Sequence, residues 1–138
     1  MLSLSNVKEI FSYLGKNISK YPTDAIFVFG SYGTEFFDKE SSDIDVAWFT
    51  SKEVFIDYIE YLQIELSKHL GVQVNIVDGF RLNDKLLVEV LKGNLITENV
   101  SERFSDFLDD FYDRIYLDCL DDEKLSYYYD EDWGVVIE

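Results

Sequence analysis

Two short apolar runs limit what this chain can fold into: Ala25-Ile26-Phe27-Val28-Phe29, bounded by Gly30, and Ile44-Asp45-Val46-Ala47-Trp48-Phe49. Runs of this length with almost no polar interruption read as strands buried on both faces. Such strands need cover, and the flanking sequence supplies it in helical pattern. Asn6 and Glu9 have capping-box spacing, and Val7, Ile10, Phe11, Leu14 and Ile18 form one stripe, which predicts a helix over 6–18. Thr50 and Glu53 repeat the spacing at the head of a long helix that runs to Leu70 and stops at Gly71. Val72 to Val77 alternates as a third strand, and Asp84 to Leu91 reads as a short helix ending at Gly93. Leu95-Ile96-Thr97 reads as a small edge strand. Ser101 opens a last amphipathic helix with Phe104, Phe107, Leu108, Phe111 and Ile115 on one face. The order predicts an α+β fold: a small mixed central sheet flanked by helices, with a C-terminal helix and an acidic tail.

With 138 residues, 47% of them hydrophobic, the chain has the material for one core and is not a disordered polymer. Residues 1–122 are expected to form a single domain, followed by an acidic, aromatic tail over 123–138. No apolar run reaches the ~18 residues of a membrane span, and the opening MLSLSNVKEI lacks a signal-peptide pattern, so a cytoplasmic protein is expected. A single cysteine, Cys119, excludes an internal disulfide framework and a cysteine metal cluster. A single histidine, His69, argues against a His-rich metal site or a Ser–His hydrolase centre. Its place near the end of the long helix suits a surface cation beside the helix dipole. Cys119 and the phenylalanine stripe read as packing residues.

Net charge is −16, and residues 102–138 hold 13 acidic and 3 basic residues, a net of −10. A surface this negative repels phosphate backbones and disfavours direct binding to nucleic acid. It favours a basic protein partner, or a nucleotide already neutralised by metal ions, with solubility alone as the plain alternative. Tyr127, Tyr128, Tyr129 and Trp133, set among Asp130, Glu131 and Asp132, suit docking of a partner or stacking on a base, and equally a simple covering segment.

Chemistry concentrates at Gly30-Ser31 and Asp43-Ile44-Asp45, with eleven residues between Ser31 and Asp43. Residues two apart on a strand share a face, so Asp43 and Asp45 should project together. Two parallel carboxylates repel at neutral pH unless a cation sits between them. Mg²⁺ is the natural candidate, a hard ion that takes one or two carboxylates plus substrate phosphates. Gly30 lets the backbone come close to a triphosphate, while the Ser31 hydroxyl and a helix N-terminus donate hydrogen bonds. Taken alone, a Gly-Ser or an Asp-x-Asp is common and is more often a solvated loop. Here the acids stand at the mouth of an apolar strand, where an unpartnered charge is costly.

This arrangement of strand, Gly-Ser, helical turn and Ser-Asp-Ile-Asp-Val on the next strand resembles the minimal nucleotidyltransferases of the DNA polymerase β superfamily. The likeness runs from Asp24 to about Thr97: Gly71 to Asp78 is similar to their third core strand, and Leu86 to Ile96 to the helix, glycine and short strand after it. Size and segment order look most like MNT-type antitoxins, which are paired with HEPN-type RNase toxins. The resemblance implies an ATP-dependent and Mg²⁺-dependent transfer of AMP to a toxin tyrosine. It implies that Gly30 and Ser31 hold the triphosphate, that Asp43 and Asp45 bind two Mg²⁺ ions, and that Asn75 occupies the third catalytic position.

Two features depart from that pattern. The segment between Ser31 and Asp43 is one residue longer than is usual. Asn75 also stands where the family has a third carboxylate, and an amide neither acts as a carboxylate base nor supplies negative charge. Asp78 is near in sequence but, three residues along a strand, should point to the opposite face. A second reading follows: a catalytically impaired member of the fold that neutralises a basic toxin by direct binding through its acidic C-terminal region. A transferase acting on a small molecule is the third, with little room for the extra substrate domain such enzymes carry.

Overall fold

The structure, a computed structural model, describes residues 7–30, 43–99 and 101–119, with side chains through 115. The chain divides into two compact units, Met1–Asn99 and Val100–Glu138. In the first, α1 (Val7–Ile18) leads into β1 (Ala25–Phe29), and β2 (Ile44–Phe49) is followed by α2 (Lys52–Leu70) and β3 (Val74–Asp78). A 3₁₀ turn (Gly79–Arg81), α3 (Asp84–Leu91) and β4 (Asn94–Glu98) complete it. The strands form one sheet in the order β3-β2-β1-β4, antiparallel except for the parallel β2–β3 pair that α2 connects. This is the mixed sheet flanked by helices that the sequence predicts. Among the described residues no helix is long and apolar enough to cross a membrane.

The two apolar runs fill both faces of the sheet, as their lack of alternation requires. Ile26 and Val28 of β1, Ile44, Val46 and Trp48 of β2, and Val74 and Ile76 of β3 form one core with Leu14 and Ile18 of α1 and Leu62, Leu66 and Leu70 of α2. The alternate residues turn the other way, where Phe27 meets Phe49 edge to face at 5.9 Å and Phe49 meets Phe80 at 5.2 Å. That second face also carries Asp45 and Asn75.

Strand β3 lies at one edge of the sheet, where outward N–H groups would otherwise be open to another chain. Its neighbour α2 takes them: the amides of Val74 and Ile76 donate to Ser67 Oγ and Gln63 Oε1, each at 2.8 Å. The apolar side chains of Val74 and Ile76 are thereby tied to the α2 face, and the intervening Asn75 is turned to the opposite one.

Local chemistry moves a few boundaries. Thr50 does not cap α2, because its hydroxyl donates to the Pro22 carbonyl; the cap is Ser51, whose oxygen accepts from Val54 N at 3.3 Å. Strand β3 starts at Val74 rather than Val72, and α3 is capped at Lys92 rather than at Gly93. A Cβ on Gly93 would run into the Val28 carbonyl, so this glycine serves close packing against β1. Gly71 ends α2 as expected, in left-handed backbone at φ 71°, with its N–H on the Ser67 carbonyl. Gly71→Ala is expected to cost about 1–2 kcal/mol, because a Cβ opposes that conformation. Urea denaturation measures the loss.

His69 lies 3.3 Å from Glu65 across one helical turn. In the second unit, α4 (Glu102–Cys119) starts with Ser101 Oγ accepting from Phe104 N, and Phe104, Phe111 and Ile115 are buried on the expected face. Asn6, Ser31 and the tail residues 123–138 lie outside the described residues.

Candidate functional site

The candidate centre forms where three strands bring their ends together on the face away from α1 and α2. Asp45 occupies the central strand β2, with Phe29 of β1 opposite it on one side and Asn75 of β3 on the other. Asp43 immediately precedes β2. The structure thus gathers Gly30, Asp43, Asp45 and Asn75, while Ser31, expected to act with Gly30, lies outside the described residues.

Hydrogen bonds fix the arrangement. Asn75 Nδ2 donates to Asp43 Oδ2 at 3.0 Å and to Asp45 Oδ1 at 3.4 Å, so one amide spans both carboxylates. Ionised carboxylates accept only, which leaves the NH₂ as the part of the amide that can face them. The amide oxygen turns the other way and accepts from Gln73 Nε2 at 3.4 Å. On the opposite side of Asp45, Gly30 holds left-handed backbone at φ 79°, and a Cβ there would lie 2.8 Å from Asp45 Oδ2. Any other residue at position 30 would be strained and would crowd that oxygen.

Asp43 is exposed and Asp45 half-buried. Burial pushes the Asp45 carboxyl above its ordinary range; the Asn75 hydrogen bond pulls it back, and the Asp43 charge adds to the rise. The site therefore holds negative charge that the fold does not fully relieve, a setting in which a cation gains. A raised folded pKa means the folded state binds the Asp45 proton more tightly than the unfolded chain does. The penalty is full above the folded pKa, shrinks as pH falls through it, and is gone below the ordinary 3.8. Asp45→Asn is accordingly expected to raise the Tm of metal-free protein at pH 7, with the gain fading towards pH 4. Melting curves of both proteins in chelator across that range check this; a difference that does not change with pH contradicts it.

Asp78 does not join this group. It pairs in register with Trp48, three residue pairs and about 10 Å along the sheet from Asp45 and Asn75. Its carboxylate accepts from Phe80 N at 3.2 Å and pairs with Arg81 Nε at 3.0 Å, so it caps the turn after β3. Among the described residues no three His, Cys, Asp or Glu side chains are grouped to hold a metal. The ligands that face the centre are two carboxylates, held by the Asn75 NH₂, and they suit a hard divalent ion that completes its shell with water or phosphate. Gln73 was not singled out by sequence reasoning. The signal for it was available in its position two residues before Asn75, just ahead of β3, where the period of an extended chain puts both on one side.

Three solved structures share this fold. One is a crystal structure of a toxin-antitoxin with AMP-PNP, 19% identical over 88% of this chain and 94% of that one, with a TM-score of 0.57. Two are mutants of the toxin-antitoxin MntA-HpeT: one is 23% identical over 89% and 94% of the two chains, TM-score 0.53. The other, with two aspartates two positions apart changed to glutamate, is 19% identical over 88% and 94%, TM-score 0.55. No curated protein matches the chain. Residues 8–102, which span the whole sheet and the candidate centre, match the family model described as Polymerase beta, Nucleotidyltransferase. The chain therefore belongs to the polymerase beta nucleotidyltransferase family.

Proposed function

We propose that this protein is an antitoxin-type nucleotidyltransferase that moves AMP from ATP to a tyrosine of a partner HEPN-type RNase toxin in the cytoplasm, and so neutralises it. The observation that carries the reading is the pair of carboxylates, Asp43 and Asp45, projecting together beside the open backbone of Gly30 in a chain of nucleotidyltransferase family. The fold shared with toxin-antitoxin structures, one of them with AMP-PNP, supports the choice of partner and nucleotide. So does the net charge of −10 over residues 102–138, which speeds encounter with a basic, RNA-cleaving protein.

In this reading Gly30 and Ser31 bind the triphosphate through backbone and hydroxyl donors, and Asp43 and Asp45 are the metal ligands. Bound Mg²⁺ supplies neutralisation of the phosphate charge and alignment of the reacting oxygens. The tyrosine oxygen forms a bond to the α-phosphorus, the bond from that phosphorus to the bridging oxygen breaks, pyrophosphate leaves, and the hydroxyl proton passes to water. Asn75 accepts no proton at its NH₂ and takes no part in that transfer.

One observation favours a second reading, a chemically impaired antitoxin that works by direct binding: the amide of Asn75 stands where a third carboxylate is expected. The deciding experiment incubates the purified protein with α-labelled ATP, Mg²⁺ and the proposed partner, a HEPN-type RNase toxin. Label on the toxin is the expected result. Its absence, under conditions in which Asn75→Asp labels the toxin, overturns the transferase reading in favour of binding.

A further inference from the structure

Asp45 divides its two oxygens between two environments. Oδ1 accepts from the Asn75 amide on the β3 side, and Oδ2 lies on the Gly30 side, within 2.8 Å of where a Cβ on Gly30 would stand. Two ions sharing a carboxylate pair would need room on both sides of it. Here the β3 side is taken by an NH₂ group that also holds Asp43 Oδ2, and Gln73 Nε2 fixes that amide with its oxygen pointing away. An amide in this orientation is a donor to the carboxylates and presents no lone pair to a cation among them. It relieves their repulsion without charge, in the manner of a small permanent counter-group.

We propose that Asn75, oriented by Gln73, occupies the β3 side of the carboxylate pair, so that the free protein holds a single divalent cation on Asp43 and Asp45 rather than two. The inference rests on the reading of Asp43 and Asp45 as metal ligands given above. Asn75 is then a positioning residue and not a ligand. This distinction has an unusual consequence: removing the amide should not weaken metal binding. Gln73→Ala, which frees the amide to turn its oxygen inward, should tighten binding modestly. Asn75→Asp restores a third negative charge on the β3 side and should open a second position.

The test titrates Mn²⁺ into the full chain without nucleotide. Electron paramagnetic resonance of free Mn²⁺ gives stoichiometry and affinity, and melting curves are recorded in parallel. Wild type is expected to bind one ion. Asn75→Ala should also bind one, with affinity within about twofold of wild type or tighter. Asn75→Asp should bind two, the first at least about tenfold tighter than in wild type. Its Tm should fall below wild type in chelator, from three facing carboxylates, and recover with Mn²⁺, a reversal that a merely structural role for Asn75 would not produce. Two ions on the wild-type chain, or weaker binding by Asn75→Ala or Gln73→Ala, overturns this inference and leaves the metal centre standing. No binding by any of the four proteins overturns the reading of the centre, and this inference with it.

Discussion

In the proposed AMP transfer, Asp43→Ala/Asp45→Ala protein is expected to be at least about a thousandfold slower, while its metal-free Tm stays level or rises. The rate loss follows from the work assigned to the pair. Without Asp43 and Asp45 to hold a divalent ion, the charge on a departing pyrophosphate would not be cancelled nor the attacking oxygen lined up, a loss of several kcal/mol in the transition state. Each 1.36 kcal/mol is about tenfold in rate. The stability result has a separate cause. Asp43 is exposed, and the half-buried Asp45 is held above its ordinary range by burial and by its neighbour's charge, so ionising the pair costs the fold something at neutral pH. Losing activity while keeping or gaining stability is what separates a functional pair from a structural one. Radiolabel transfer and thermal melts measure the two halves. The same variant, co-expressed with the toxin, decides between the two readings of function. If it still protects cells, and a chain truncated after Ser101 does not, direct binding is the mechanism.

The sequence made β1 and β2 legible because burial on both faces leaves no polar position but Asp45 to confuse their ends. The bounds of β1 and β2 fall where the apolar runs start and stop. The same-face placement of Asp43 and Asp45 follows from the two-residue period alone. What the sequence withheld is the cross-strand register. Asn75 opposes Asp45 only because β2 and β3 run parallel with that pairing, and pairing depends on α2 bridging the two strands and on Ser67 and Gln63 pinning the β3 edge. The family resemblance supplied the position of Asn75; the direction of its amide required Gln73. Capping errors have a similar origin. Thr50 and Ser51 are equally good caps by residue type, and a long-range bond from Thr50 to Pro22 leaves the task to Ser51. Gly93 reads as a helix terminator, yet close approach of the Val28 carbonyl is what requires a glycine there.

The largest effect on stability is expected from Trp48→Ala. Trp48 is fully buried in β2, meets Tyr21 at 6.3 Å and Phe55 at 5.9 Å, and donates from Nε1 to Thr23 Oγ1 at 2.9 Å. That bond ties β2 to the Tyr21-Pro22-Thr23 turn, where the Thr23 hydroxyl in turn donates to the Tyr21 carbonyl at 2.9 Å. Truncation removes the packing of the largest side chain in the core and leaves a cavity, a loss of about 3–5 kcal/mol. For a domain whose total stability is on the order of 5–15 kcal/mol, much of the margin goes. With a urea slope of about 2 kcal/mol per molar, the midpoint should fall by roughly 2 M. Trp48→Phe separates the two contributions, since it fills most of the volume and loses only the N–H, for about 1–2 kcal/mol. The prediction reaches the centre because Trp48 and Asp45 share one six-residue strand. At urea concentrations where Trp48→Ala is partly unfolded, Mn²⁺ should shift its midpoint upward, as for any ligand that binds only the folded state. A midpoint that Mn²⁺ moves in wild type but not in Trp48→Ala would mean that the strand folds without holding its carboxylates in place, and that Trp48 positions the centre as well as the core.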